Sequence, residues 1–532
     1  MDKNTSDQKQ SLHPFIIAIV LAGGIFLGYI IGINGMNKPS VFTKYNYNKI
    51  DDILDYIEAN YVDSVNRYDI EEKAIAELLA DLDPHSYYIP AEETQSIAED
   101  MQGNFEGIGV QFRIVKDTIL IENTIEGGPS EKVGIQAGDK IVFVGDSLIA
   151  GVGVSNADVM LLLKGPRGTK VNIKVLRKGK LIPFSITRDK IPLYSVDASY
   201  MLNKTTGYIK VNRFAATTYD EFVAGVQNLQ KEGMEHLVLD LRGNPGGYLQ
   251  AAVEMTDEFL DGKKLVVYTE GLHQDKYEYI TNRKGVFEEG KLVVLIDQNS
   301  ASASEIMAGA IQDWDRGVII GRRSFGKGLV QDQHEFPDKS ALRLTIARYF
   351  TPTGRSIQKS YEDKDAYFNE VDFRYENGEL LGLDSTGAHQ DTVKYYTLVK
   401  KREVYGGGGI TPDVFMPLDT SYANLYVAQL RQYILPFLYD YVESNRTALE
   451  KYNVASFTNS FKVDAKLFGE FQNFARLEGY SESFSSNAAY NEGLQLLIKA
   501  NLAKQLFQNE GFYRVINSDA PIIKEALKQI KK

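Results

Sequence analysis

The sequence predicts an α/β protein of several domains, and three observations carry that reading. Its 532 residues exceed what one domain holds, at about 100 to 200 residues each. From Gly207 onward, continuous apolar runs alternate with amphipathic stretches, a β-α-β rhythm that argues for a buried, largely parallel sheet. A strand-patterned module precedes that alternation, and a helix-patterned region follows it. Hydrophobic residues make up 43% and charged residues 24%, a globular balance that excludes wholesale disorder and a polytopic membrane protein. The formal charge of −12, with no Lys/Arg run, excludes nucleic acid as the principal partner.

The elements follow in order. Residues 1–14 form a short tail. The run 15–33, FIIAIVLAGGIFLGYIIGI, is uncharged over 19 residues, enough to cross a hydrocarbon core of about 30 Å as a helix. It is long for the apolar part of a signal peptide and no A-x-A site follows it, so it reads as an uncleaved transmembrane signal anchor. Lysines on both sides leave orientation unsettled, and the short tail favours the bulk of the chain on the extracytoplasmic, periplasmic side. Gly24, Gly28 and Gly32 repeat a G-x-x-x-G spacing that can pair two copies of the chain as a homo-oligomer.

Between Tyr47 and Leu82 apolar residues recur at helical spacing and stop at Asp83-Pro84, so residues 45–100 read as a helical entry region. Strands are expected at Val110 to Val115 and Thr118 to Ile121, joined by Lys116-Asp117, then at Lys140 to Val144, Val171 to Leu176 and Ile182 to Ile186 around a helix at Ala157 to Leu163. Residues 101–190 are thus one compact module. Residues 191–420 hold strands at Leu237 to Leu241, Leu292 to Ile296, Val318 to Ile320 and Arg343 to Tyr349, with helices from Leu249 to Leu260 and Ser302 to Gln312. The polar, Tyr-rich stretch from Ser360 to Gly409 reads as an insertion or mobile loop within them. Residues 421–532 return to helix.

Cysteine is absent, which removes disulfides, thiolate catalysis and iron–sulfur clusters. The six histidines form no H-E-x-x-H pair, so a zincin site is excluded. Phe105 to Phe112 carries Gly107-Ile108-Gly109-Val110 directly before a strand. Alternating glycines let successive amides turn toward one point, capturing a carboxylate while the strand edge accepts an extended peptide. With Gly134 to Ile141 and Gly165-Pro166-Arg167-Gly168 after it, this succession resembles a PDZ domain.

A strand ending at Asp297 meets Asn299-Ser300-Ala301-Ser302-Ala303-Ser304-Glu305 and a helix. A serine there faces backbone amides and the positive end of a helix dipole, which suits an oxyanion. The same Ser302-x-x-Glu305 spacing fits a capping box, and local evidence leaves both readings open. Lys327, between Gly326 and Gly328, can serve as general base only where desolvation lowers its pKa from about 10.4. Gln331, four residues on, can hold that amine without adding charge. The loop Arg242 to Gly247 follows a buried strand, and its Gly246 and Gly247, with the Ala303 amide, are candidates for an oxyanion hole or simply a tight connection.

Taken together, Leu82-Asp83-Pro84-His85-Ser86, the PDZ-like module, Leu241 to Gly247, Ser300 to Glu305, Phe325-Gly326-Lys327-Gly328 with Gln331, and Gly409 to Asp413 resemble the carboxyl-terminal processing (tail-specific) serine protease family. The resemblance covers roughly residues 45 to 420. It implies a ClpP/crotonase-like core with an inserted PDZ domain, Ser302 as nucleophile, Lys327 as base and Gln331 in support. It also implies protein substrates with accessible C-terminal tails, and no metal or organic cofactor. Two other readings remain: a Ser-His hydrolase using His85 or His334, and a non-catalytic PDZ scaffold that binds protein tails.

Overall fold

The computed structural model describes residues 18–25, 48–383 and 393–532. The chain divides into two compact units, Met1–Leu78 and Leu79–Lys532. In the first, residues 18–25 are helical and exposed. Most of the expected anchor 15–33, with Gly28 and Gly32, lies outside the described residues, among which no helix is long and apolar enough to cross a membrane. Helix Lys49–Asn60 is capped by the Asn48 side chain, and Arg67, opening helix Arg67–Ala80, pairs with Asp51, Asp55 and Glu58. Both helices fall where apolar spacing places them.

The second unit opens with the strand-rich module. Strands Val110–Val115 and Thr118–Thr124 form a hairpin whose two turn residues, Lys116 and Asp117, both have positive φ (46° and 53°). That is the turn whose twist matches its strands. Strands Lys140–Val144, Lys170–Arg177 and Lys180–Thr187 extend the sheet, and Val110–Val115 stays at its edge. Helix Asn156–Leu163 buries Val159 and Leu163 against Ile119, Ile121, Ile141 and Ile173.

A six-stranded sheet forms the next layer, in the order Val196–Met201, Thr206–Val211, His236–Asp240, Leu292–Ile296, Val318–Gly321, Val414–Phe415. All its pairings but the first are parallel. Every residue of Leu292–Ile296 is buried, because both faces of the sheet are covered. Val294 and Ile296 face a core built with helices Thr218–Lys231, Leu249–Asp257 and Ala303–Asp313. Val293 and Leu295, one residue out of phase, face Ile522, Ile523 and Ala526 of helix Pro521–Lys531. The last helix of the chain is therefore part of the central fold. A second, antiparallel sheet joins Tyr87–Ile89, Ala341–Phe350, Leu265–Gly271 and Gln274–Ile280, with Leu329–Glu335 also paired to Ala341–Phe350.

The stretch read as an insertion or mobile loop is structured over most of its described length, so it is not a bare loop. It forms helices Lys364–Phe368 and Glu370–Glu376 and a hairpin of Lys394–Tyr396 with Glu403–Tyr405; residues 384–392 lie outside the described residues. Its polarity is internal. Glu370 pairs with Lys359 (2.6 Å) and Arg323 (3.1 Å), and Glu379 with Arg323 (3.0 Å) and Arg374 (2.9 Å), in a largely buried network. Charged residues that satisfy one another are indistinguishable in sequence from charged residues facing water.

Helices Leu425–Leu449, Val454–Ser460, Ala465–Leu477 and Ala488–Asn517 build a separate core around Phe457, Phe471, Leu494 and Leu502. Since Ile523 is 3% exposed, Ile523→Ala is expected to lower the unfolding free energy by about 2–4 kcal/mol. Leu477→Ala, at a side chain 86% exposed, should leave it unchanged. Denaturant titration of both variants measures the difference.

Candidate active site

Two loops at the ends of neighbouring parallel strands make the centre. After Leu292–Ile296, Asp297 accepts hydrogen bonds from the Gly243 amide (2.8 Å) and the Asn299 amide (3.0 Å). The Asn244 carbonyl in turn accepts from the Ala301 amide (3.0 Å) and Ser304 Oγ (3.0 Å). These bonds draw the 242–247 loop onto the serine run. The approach is close enough that a Cβ on Gly246 would lie 2.8 Å from the Ser302 Cβ and 3.0 Å from the Ala303 nitrogen. Only glycine fits there.

Ser302 is the N-cap of helix Ala303–Asp313, in a capping box with Glu305, and adopts φ 53°, ψ −112°. A positive φ is costly for a residue with a Cβ and persists only where its surroundings impose it. Ser302 is half-buried whereas the helix it opens is buried throughout. The Ala303 and Gly247 amides have no acceptor among the described residues, while the Gly246 amide donates to Asn244 Oδ1 (2.9 Å). Of the three amides expected to form an oxyanion hole, Gly246 is thus already engaged, because the turn that shapes its own loop uses it.

Lys327 lies in the loop between Val318–Gly321 and Leu329–Glu335, and the structure brings it to Ser302 through two shared partners. Glu305 Oε2 accepts from the Ser302 amide (2.8 Å) and the Lys327 amide (2.9 Å). The Tyr349 hydroxyl bonds the carbonyls of both residues. The other Glu305 oxygen takes Ser324 Oγ (2.5 Å) and the Gly326 amide (2.7 Å). Ser324 Oγ also accepts from the Ile410 amide (2.6 Å), which gives the Gly409 to Asp413 motif its structural reason. Burial pushes the Glu305 carboxyl up to about 7, against the four donors that pull it down.

The Lys327 amine donates to Gln331 Oε1 (2.8 Å), and the Gln331 amide donates to the His85 carbonyl. No hydrogen bond joins the Lys327 amine to the Ser302 hydroxyl; the amine rests on Gln331 instead. Burial, and next the Arg343 cation, lower the lysine to about 8, while Asp83 and Glu305 act in the opposite direction. The Asp83-Pro84-His85-Ser86 motif is the shelf for this arrangement. Asp83 accepts from the His85 amide (2.8 Å), Ser86 Oγ (2.5 Å) and Thr345 Oγ1 (3.1 Å), fixing the carbonyl on which Gln331 rests.

The His85 ring is directed elsewhere, hydrogen-bonded to Tyr367 and edge-on to Phe325. Burial, and then the Lys327 charge, lower it to about 4. His334 is exposed on strand Leu329–Glu335. Neither histidine bonds Ser302 among the described residues. Glu305 as a clamp, Tyr349 as its counterpart and Tyr367 as the partner of His85 had no signal in the sequence beyond the capping spacing, since each acts through contacts distant along the chain.

In the PDZ module, Gly107 ends strand Asn104–Gly107 and Val110 begins strand Val110–Val115. Between them the Ile108 carbonyl accepts from the Ser130 amide (3.0 Å) and Ser130 Oγ (2.6 Å), and the Gly109 carbonyl from the Ile125 amide (3.0 Å). With both carbonyls tied down, the Ile108 and Gly109 amides are left without an acceptor among the described residues. They flank the free edge of Val110–Val115.

Family models match three stretches: a PDZ domain over residues 107–187, Peptidase family S41 over 205–367, and a family of unknown function, DUF8443, over 426–508. The carboxy-terminal processing protease CtpA of Bacillus subtilis is 35% identical over 358 residues, covering 66% of this chain and 76% of the relative. The carboxy-terminal-processing protease of Bartonella bacilliformis is 33% identical over 350 residues, covering 64% and 80%. Among solved structures, the photosystem II D1 C-terminal processing protease is 28% identical, covers 57% of this chain and 82% of its own, and has a TM-score of 0.33. With this extent of identity and the S41 and PDZ matches in sequence order, the chain belongs to peptidase family S41, as a serine peptidase that carries a PDZ domain.

Proposed function

We propose that the chain is a membrane-anchored serine endopeptidase with a Ser302–Lys327 dyad, which captures protein C-terminal tails on its PDZ domain and cleaves near them. The observation that carries the dyad is the clamp: one carboxylate oxygen of Glu305 binds the backbone of both residues, beside a lysine lowered to about 8. In this reading a tail lays its terminal carboxylate on the Gly107 to Val110 amides and adds to the edge of strand Val110–Val115. The neutral Lys327 amine leaves Gln331 and takes the Ser302 proton as Oγ bonds to the peptide carbonyl carbon. The amides of Ala303 and Gly247 receive the oxyanion. Collapse expels the amine, which takes its proton from Lys327, and water then opens the acyl-enzyme with Lys327 again as base. No metal or organic cofactor has a step in this cycle.

The anchor rests on the uncharged run 15–33, and the proposal places the catalytic part on the extracytoplasmic, periplasmic side. Alkaline extraction of membranes tests this: the chain should stay in the pellet, and release into the supernatant refutes the anchor.

The dyad is tested by incubating the protein with a denatured substrate carrying apolar tails and mapping cuts by mass spectrometry. Ser302→Ala and Lys327→Ala should each abolish cutting. Undiminished cutting by both would refute the assignment and return the molecule to a tail-binding scaffold. The base also sets the pH dependence. Only the neutral amine acts, so kcat/KM should rise about tenfold per pH unit below a midpoint near 8, the value of Lys327, and level off above it. Removing the repelling cation with Arg343→Gln should raise the lysine pKa, move that limb to higher pH and slow the enzyme at neutral pH. A limb that stays in place contradicts Lys327 as the titrating base.

A further inference from the structure

A cavity of about 580 Å³ lies where the PDZ module, the sheet and the helical region meet, between Arg113 of strand Val110–Val115, Asp197 of strand Val196–Met201, and helices Leu425–Leu449 and Ala488–Asn517. Three cations line it, Arg113, Arg431 and Lys504, against one carboxylate, Asp197. Asp197 accepts from Asn212 Nδ2 (2.8 Å), Asn509 Nδ2 (2.8 Å) and the Tyr513 hydroxyl (3.2 Å), which hold it in place but leave its charge, so it offsets one of the cations. Arg113 pairs with Glu122 at 2.5 Å. Arg431 and Lys504 have no carboxylate within ion-pair distance among the described residues. In a chain of net charge −12, two such cations converging on one hollow are a local reversal of sign that favours an anion. Ile434, Leu435 and Phe512 supply apolar walls. Helix Ala488–Asn517 breaks between Lys504 and Asn509, at Phe507 and Gln508, the latter with φ 57°; a strained break of this kind is held by its surroundings and concentrates at binding sites.

The position of Arg113 relates the cavity to the tail site. A tail whose terminal carboxylate sits at the Ile108 and Gly109 amides extends its upstream residues along the free edge of Val110–Val115. Val110, Phe112 and Ile114 pack on the module's core, so Arg113 stands on the opposite face. At about 3.3 Å per residue, the side chain reaching the cavity mouth lies about three to five residues before the tail's end.

We propose that this cavity receives a carboxylate side chain, Asp or Glu, of the docked substrate, so that the helical region selects tails with an acidic residue a few positions upstream of an apolar terminus. This rests on the reading of the PDZ edge as the tail site.

The test uses the full chain in detergent with Ser302→Ala to prevent turnover, and fluorescein-labelled peptides with one apolar terminus and Glu, Gln or Lys across the upstream positions. Fluorescence polarisation should show the Glu peptide binding about tenfold tighter than the Lys peptide, as for a partly desolvated ion pair. The difference should shrink with added salt. Arg431→Glu with Lys504→Glu should erase or invert the order, with thermal melts of both proteins checking that the fold is kept. Equal affinities for the three peptides on the parent protein overturn the inference and leave tail binding standing. If no peptide binds, or amidating the terminal carboxylate changes nothing, the tail site itself falls and the inference with it.

Discussion

The arrangement of the site depends on one buried carboxylate. Glu305 is fully buried and accepts four hydrogen bonds, two at each oxygen, from Ser302, Lys327, Ser324 and Gly326. A buried carboxylate is stable only when its acceptor sites are filled. Filling them requires the serine loop and the lysine loop, 25 positions apart in the sequence, to meet at that point. Tyr349, bonded to the carbonyls of the same two residues, closes the frame from the opposite side. The clamp holds Ser302 and Lys327 by their backbone atoms and so fixes the loops without using the Lys327 amine.

This separates what holds the proposed dyad from what tunes it. The amine is positioned by Gln331, whose amide is held by the His85 carbonyl, which Asp83 fixes in turn. No carboxylate bonds the amine directly, so Asp83 and Glu305 raise its pKa less than burial and Arg343 lower it. Burial and the Arg343 cation then work in one direction, toward the neutral amine. Resting on Gln331, the amine must still move to engage Ser302; Tyr367, from the segment read as an insertion or mobile loop, bonds the ring of the same His85 whose carbonyl holds Gln331.

Legibility in the sequence followed contact range. Leu292 to Ile296 was readable to the residue because a fully buried parallel strand has nothing but apolar positions, and the Lys116-Asp117 hairpin because Val110 to Ile114 alternates apolar with polar residues and an apolar run resumes after the turn. Ser302, Lys327 and Gln331 were singled out through the family resemblance, since their local motifs left other readings open; the four-residue spacing of the last two matches the hydrogen bond between their side chains. Three features were not legible. The Glu370, Arg374 and Glu379 network looks like solvated polarity until its partners Arg323 and Lys359 arrive from elsewhere. The engagement of the Gly246 amide by Asn244 depends on a turn conformation that the glycines permit and do not dictate. Helix Pro521–Lys531 has an apolar face whose partner, the second face of the sheet, lies more than 200 positions earlier.

That helix also shows how the C-terminal region is mounted. On the protease core it buries Ile522, Ile523, Ala526 and Ile530 against the sheet, and Tyr200 is held by Asn517 (3.0 Å). Toward the PDZ module its charged contacts are the surface pairs Lys116 with Glu478 (3.0 Å) and Lys178 with Glu443 (3.2 Å), beside a Tyr439 hydrogen bond to Glu122. Exposed ion pairs contribute about 0–1 kcal/mol each and weaken with salt, whereas each buried Ile contributes about 1.5–3 kcal/mol. The region is thus bound to the core by its apolar face and touches the PDZ module through bonds that are individually cheap to break. On the proposed reading, in which strand Val110–Val115 docks a tail, an arm fixed at one end and lightly attached at the other holds that strand near the core with little cost to its shifting, as a substrate passing from a docking edge to a separate catalytic centre requires.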